Sequence, residues 1–186
     1  MQTVKRNRRE HAIVLRDEVA GNQAWGTEFG AAIFGRMNSQ LMSLSEGILV
    51  PIDYRQLERS DVSFQREAVV ETLRKHRPRL LFVAVNLTDP DMRENLSLAL
   101  ERRGDWLLVR DDQVRPTVLG KRLTTEQQAT MERVWAAGEL MSSGLADVNL
   151  STASSRLSWL WKAGLVERVE GTSPSGGREH RYYPIV

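Results

Sequence analysis

Apolar and polar positions change period several times along this chain, and the changes divide it into elements. Residues 11–19 (HAIVLRDEV) concentrate Ile13, Val14 and Leu15 and predict a strand. Over 22–44, Trp25, Phe29, Ile33, Met37 and Leu41 recur at every fourth position, with Phe34 and Leu44 beside them. That is a helical stripe. Gly26, Gly30 and Gly35 within it are poor helix formers, and their spacing predicts a face that lies close to another element. Residues 48–54 (ILVPIDY) predict a strand, which Pro51 places at an edge or an irregular position. Residues 60–74 predict a helix with Ser60 or Asp61 as cap and Phe64, Ala68, Val69 and Leu73 facing inward. The run 80–86 (LLFVAVN) is apolar almost throughout, as in a strand covered on both faces. Thr88-Asp89-Pro90 opens a helix that ends at Gly104. Strands follow at 106–109 and 115–119. Strands that alternate with helices in this way predict an α/β domain with a mainly parallel or mixed sheet.

Residues 109–122, with Asp111, Asp112, Pro116 and Gly120, are polar and rich in turn formers, and a boundary falls near 120–123. Beyond it, 123–137 predicts a helix with a capping box from Thr124 and Gln127, or from Thr125 and Gln128, closed by Gly138. Residues 139–148 (ELMSSGLADV) predict a second, short helix. A third spans 149–165, NLSTASSRLSWLWKAGL, between the N-cap residue Asn149 and Gly164. Its apolar stripe is Leu150, Ala153, Leu157, Leu160 and Trp161. The other side carries Ser151, Thr152, Ser154, Ser155, Arg156, Ser158 and Trp159. Small hydroxyls with one arginine let a helix backbone approach DNA and offer donors and acceptors to phosphates and base edges. Short helix, tight turn and capped helix make the helix-turn-helix pattern. Residues 165–169 alternate as a strand, 171–177 (GTSPSGG) form a hairpin tip, and 178–185 return.

Composition narrows the classes. With 186 residues, a net charge of +2 and 27% charged residues, the chain has the make-up of a soluble globular protein. It contains no cysteine, which removes disulfides, thiolate metal sites and cysteine nucleophiles. No apolar run approaches membrane-spanning length, so a cytoplasmic protein without a membrane partner is expected. The first ten residues form a basic tail, with Lys5, Arg6, Arg8 and Arg9, that is either solvated or follows a phosphate backbone. Asp53 at a strand end is a lone metal or ribose candidate without a second ligand beside it. The histidines 11, 76 and 180 have no ligand spacing, and neither GxGxxG nor GxxxxGK[ST] occurs. No catalytic set, cofactor or metal is expected, so the chain is not read as an enzyme.

Two stretches resemble known families. Within 48–73, Asp53-Tyr54, Ser63-Phe64 and Glu67 resemble the STAS-like domain often found beside winged helices in bacteria. The likeness extends in element order over 11–120. In antagonist STAS proteins a serine after a conserved aspartate is phosphorylated. With Asp61 at that aspartate, Val62 takes the serine position and Ser63 the next, so Ser60, Asp61 and Ser63 are either regulatory residues or helix caps. The string AGLVERV followed by GGREHRYYPI resembles the end of bacterial winged helix-turn-helix transcriptional regulators, over 123–186. That resemblance implies an α+β winged helix in which 149–163 reads DNA. Asn149, Ser151, Thr152, Ser154, Ser155, Arg156 and Ser158 would lie on the reading helix, with Arg178, His180 and Arg181 on the wing. It further implies double-stranded DNA as partner, a homodimer, and a protein partner for the STAS-like domain. One observation pulls the other way. Residues 123–186 hold six Lys/Arg (133, 156, 162, 168, 178, 181) and seven Asp/Glu (126, 132, 139, 147, 167, 170, 179), a net of −1. A regulator that docks protein through the winged helix is therefore the alternative.

Overall fold

The structure, a computed structural model, describes residues 8–19, 21–110, 116–172 and 178–186. Residues 1–7, 20, 111–115 and 173–177, which include most of the expected basic tail and of the hairpin tip expected over 171–177, lie outside the described residues, as do the side chains of Thr172 and Arg178. Contacts divide the chain into two units, Arg8–Arg122 and Leu123–Val186.

In the first unit, β1 (Ile13–Val14) runs into a single turn α1 (Leu15–Glu18), then β2 (Gln23–Ala24) and α2 (Thr27–Leu41). After β3 (Leu49–Asp53) and β4 (Arg59–Ser60), one continuous helical stretch comprises α3 (Val62–Phe64), a π-helical segment Gln65–Val70 and α4 (Glu71–His76). Then come β5 (Leu81–Val85), α5 (Pro90–Arg103), β6 (Trp106–Arg110) and β7 (Thr117–Gly120). The main sheet has the order β1-β3-β5-β6-β7, parallel except for the antiparallel edge strand β7. β2 and β4 pair separately.

Because each parallel step moves one place in the same direction, right-handed crossovers put every connecting helix on the same face. The packing agrees. Val50, Ile52, Phe82, Ala84, Leu107 and Val109 form one buried cluster with Ile33 and Met37 of α2, Phe64 and Leu73 of the second helical stretch, and Leu96 and Leu100 of α5. All five residues of β3 and of β5 are buried. One expected close approach is present at Gly30, where an added Cβ would lie 2.9 Å from Glu67 Cβ and 3.1 Å from the Phe64 carbonyl oxygen.

Three expectations change here. The strand expected over 11–19 is only two residues long, since Leu15 already begins a helical turn. Helix α2 starts at Thr27 rather than at 22. β3 is interior, not an edge, despite Pro51. The proline is tolerated because Leu49 N donates to Arg9 O, which turns the odd-numbered N–H positions of β3 toward β1. Pro51 thus removes one donor on the β1 side only. The pairing there is interrupted between the Glu10–Leu49 bridge and Ile13.

The second unit contains α6 (Thr125–Ala137), β8 (Leu140–Met141), a 3₁₀ turn Ser142–Gly144, α7 (Leu150–Lys162), β9 (Val166–Thr172) and β10 (Arg178–Pro184). Its three strands are antiparallel in the order β8-β10-β9. Met131, Val134, Leu145, Ala153, Leu157, Leu160, Val166, Tyr182 and Ile185 are buried. α6 has the full capping box of Thr124 and Gln127 and ends at Gly138 in the left-handed conformation. The short helix expected over 139–148 is replaced by a strand and a 3₁₀ turn. Leu140 and Met141 pair with Tyr182 and Arg181, and the weak helix formers Ser142, Ser143 and Gly144 do not resist that pairing.

Candidate nucleic-acid interface

Helix α7 is closed at both ends by its own sequence. Asn149 accepts a hydrogen bond from Thr152 N at 2.8 Å, and Gly164 turns the chain out at φ +70° while Leu165 N donates to Leu160 O. Ala153, Leu157 and Leu160 are fully buried beneath it. On the outer face Ser151, Ser154, Ser155 and Lys162 are exposed, and Thr152, Arg156, Ser158 and Trp159 are half-buried. The expected serine-rich face is therefore present. Lys162 belongs to it, since Ser151, Ser155, Ser158 and Lys162 recur at helical spacing. Leu150, expected to face inward, is instead 64% exposed, because it sits in the first turn, ahead of the point where α7 meets its core.

Among the described residues, several charged side chains of this unit are engaged with one another. Arg133 forms an ion pair with Asp147, which its hydrogen bond holds below the usual carboxylate range; Arg156 adds to that lowering. Glu126 is also lowered, by hydrogen bonds from its own backbone and from Thr124, with a further contribution from Arg156. Arg156 therefore lies in the field of two carboxylates. Arg181 pairs with Glu139 at 3.0 Å, and Tyr183 Oη donates to the other oxygen of that carboxylate. Arg168 stacks on Trp161. His180 is half-buried and its Nδ1 has no hydrogen-bond partner among the described residues. Arg178 pairs with Thr172 through the backbone, the last pair of the hairpin before its connecting residues. The Arg168–Trp161 contact was not legible in the sequence.

Comparison of the chain with protein-family models, curated proteins and solved structures finds no match.

The candidate residues of the first unit are built into its framework. Asp53 is 1% exposed and accepts from Arg55 N, from Asn86 Nδ2 at 2.7 Å, and from the Arg55 guanidinium. Burial alone would raise its pKa, but these hydrogen bonds and the arginine charge outweigh it and leave it lowered. The carboxylate is thus occupied by its own neighbours, and no cluster of three potential metal ligands exists among the described residues. Asp61 caps α3 through Phe64 N at 2.7 Å and also accepts from Gly26 N. Ser60 is 2% exposed and accepts from Gln65 Nε2, which sits in a buried chain with Tyr54 Oη donating to Gln65 Oε1. Ser63 is half-buried. An open cleft of about 760 Å³ lies beyond the ends of β3 and β5, lined by Arg55, Gln56, Glu58, Asn86, Thr88 and Asp89 among others. No described helix is long and apolar enough to cross a membrane.

Proposed function

We propose that this chain is a cytoplasmic, DNA-binding transcriptional regulator, in which the second unit is a winged helix that reads duplex DNA through α7. In this account β9 and β10 are the wing, and the first unit is a STAS-like domain that serves dimerisation or the sensing of a partner. The observation that carries it is the helix α7 itself. It is capped at Asn149, packed by Ala153, Leu157 and Leu160, and followed directly by an antiparallel hairpin, with small hydroxyls and one lysine facing outward. An α-helix of this width fits the major groove, and serine side chains let its backbone approach the bases. Lys162 and Arg156 supply few phosphate contacts per chain, so two copies acting on a two-fold site are needed for firm binding. The test is a filter-retention or anisotropy titration of the purified chain against random duplexes at low and moderate salt. The proposal expects retention that falls steeply with salt, because each phosphate neutralised contributes a slope of about −0.9 in log K against log salt. No retained duplex at low salt overturns it.

A second function, protein docking by the same unit, is favoured by one observation. Arg133, Arg168 and Arg181 are each committed to a neighbour within the unit, and its net charge is −1 by the count above. A stoichiometric protein partner combined with no duplex affinity is the result that selects it.

A further inference from the structure

We propose that Leu150 is a base-reading residue that makes apolar contact with the 5-methyl groups of thymine, so that the site preferred by this chain is thymine-rich where α7 begins. The inference rests on the DNA-binding function proposed above. Among the described residues of the second unit, Leu150 is the one exposed large hydrophobic, at 64%, while the other aliphatic residues of α7 are buried. It occupies the first position of the helix. That is the end of a recognition helix which meets base edges. In the major groove thymine alone presents a methyl group, and an aliphatic side chain is its complement.

The polar alternatives near that end are already in use. The Asn149 carboxamide oxygen is held by Thr152 N, which removes it from the bidentate contact an asparagine makes to adenine. Arg156, the side chain suited to guanine, sits near Glu126 and Asp147, and Leu150, in line with the buried stripe but in the turn before it meets the core, would meet DNA at the tip of the helix, not on the face centred on Ser155. Ser151 and Ser154 beside Leu150 are exposed and small, and neither obstructs its approach to a base. The strongest base-discriminating group in the first turn is therefore apolar.

The experiment uses the full chain and a duplex that it selects from a random library. Thymines of the selected site are replaced singly by deoxyuridine, which deletes the methyl and leaves every hydrogen-bonding group in place. Affinity is measured for the wild-type chain and for Leu150→Ala, a change at an exposed position that leaves the fold intact. The expected result is a loss of about fourfold at one or two thymines for the wild type, the effect of one buried methyl, and no loss at those positions for Leu150→Ala. Equal sensitivity of the two proteins, or no sensitivity in the wild type, overturns the role of Leu150 and leaves DNA binding standing. A shift of oligomeric state in Leu150→Ala overturns it too, by assigning the leucine to a contact between copies. Failure to select any duplex overturns both proposals.

Discussion

The guanidinium of Arg168 lies 3.3 Å from the centre of the Trp161 ring. Arg168 is on β9 and Trp161 is in the last turn of α7, so the pair fastens the hairpin to the helix. A cation stacked on indole is worth about 0.5–2 kcal/mol, depending on how far it is shielded from water. Arg168→Gln is therefore expected to lower the thermal midpoint of the chain while leaving the salt dependence of duplex binding unchanged. Circular dichroism melts and anisotropy titrations measure the two effects separately. A salt slope reduced by nearly one unit would instead place Arg168 on a phosphate.

Glu126 acts on Arg156. Its carboxylate is negative at neutral pH and lies in the field of Arg156. Glu126→Gln removes a charge that attracts Arg156 and repels phosphate. Tighter duplex binding is expected, most clearly at low salt, where surface charges are least screened. Weakened or unchanged binding would place Arg156 away from DNA.

The first unit carries a histidine whose proton matters. His76 is 4% exposed, with Nε2 3.1 Å from Asn38 Oδ1 and Nδ1 2.9 Å from an Arg79 Nη2 that donates to it. Arg79 also donates to the Leu41 and Leu44 carbonyls at the end of α2. Burial lowers the His76 pKa, and the charges of Arg79 and Lys75 lower it further. The unfolded chain, with an imidazole pKa of 6.5, takes up a proton that the folded chain resists. This contribution to stability is complete above the unfolded value and is lost as pH falls below it. The urea midpoint is expected to drop between about pH 7.5 and pH 5.5, and to drop less in His76→Gln. Identical pH profiles for the two proteins would show that His76 titrates as it does in water.

The sequence revealed most of the elements because their signals were local. Asn149, Asp61, Asp89 and Thr124 each cap the helix that their neighbours predict, and the unbroken apolar run of β5 marked an interior strand. What it could not reveal depends on distant partners. Leu140 and Met141 look helical by spacing, yet form a strand because β10 offers them backbone groups to pair with. Pro51 looked like an edge marker, but the direction of its missing N–H is set only by the register with β1. The serine face of α7 was legible from the 3.6-residue period. The engagement of Arg133, Arg168 and Arg181 was not, since their partners lie seven or more residues away along the chain.

In the proposed function, duplex DNA lies against the outer face of α7. Ser155 is exposed at the middle of that face, away from the buried stripe. Ser155→Glu sets a carboxylate where the groove would close over the helix, without touching the core. An anisotropy titration of a selected duplex against the wild type and this variant, beside their thermal melts, tests the claim most directly. The account predicts loss of duplex binding with an unchanged melting temperature. Unchanged affinity in Ser155→Glu would contradict it.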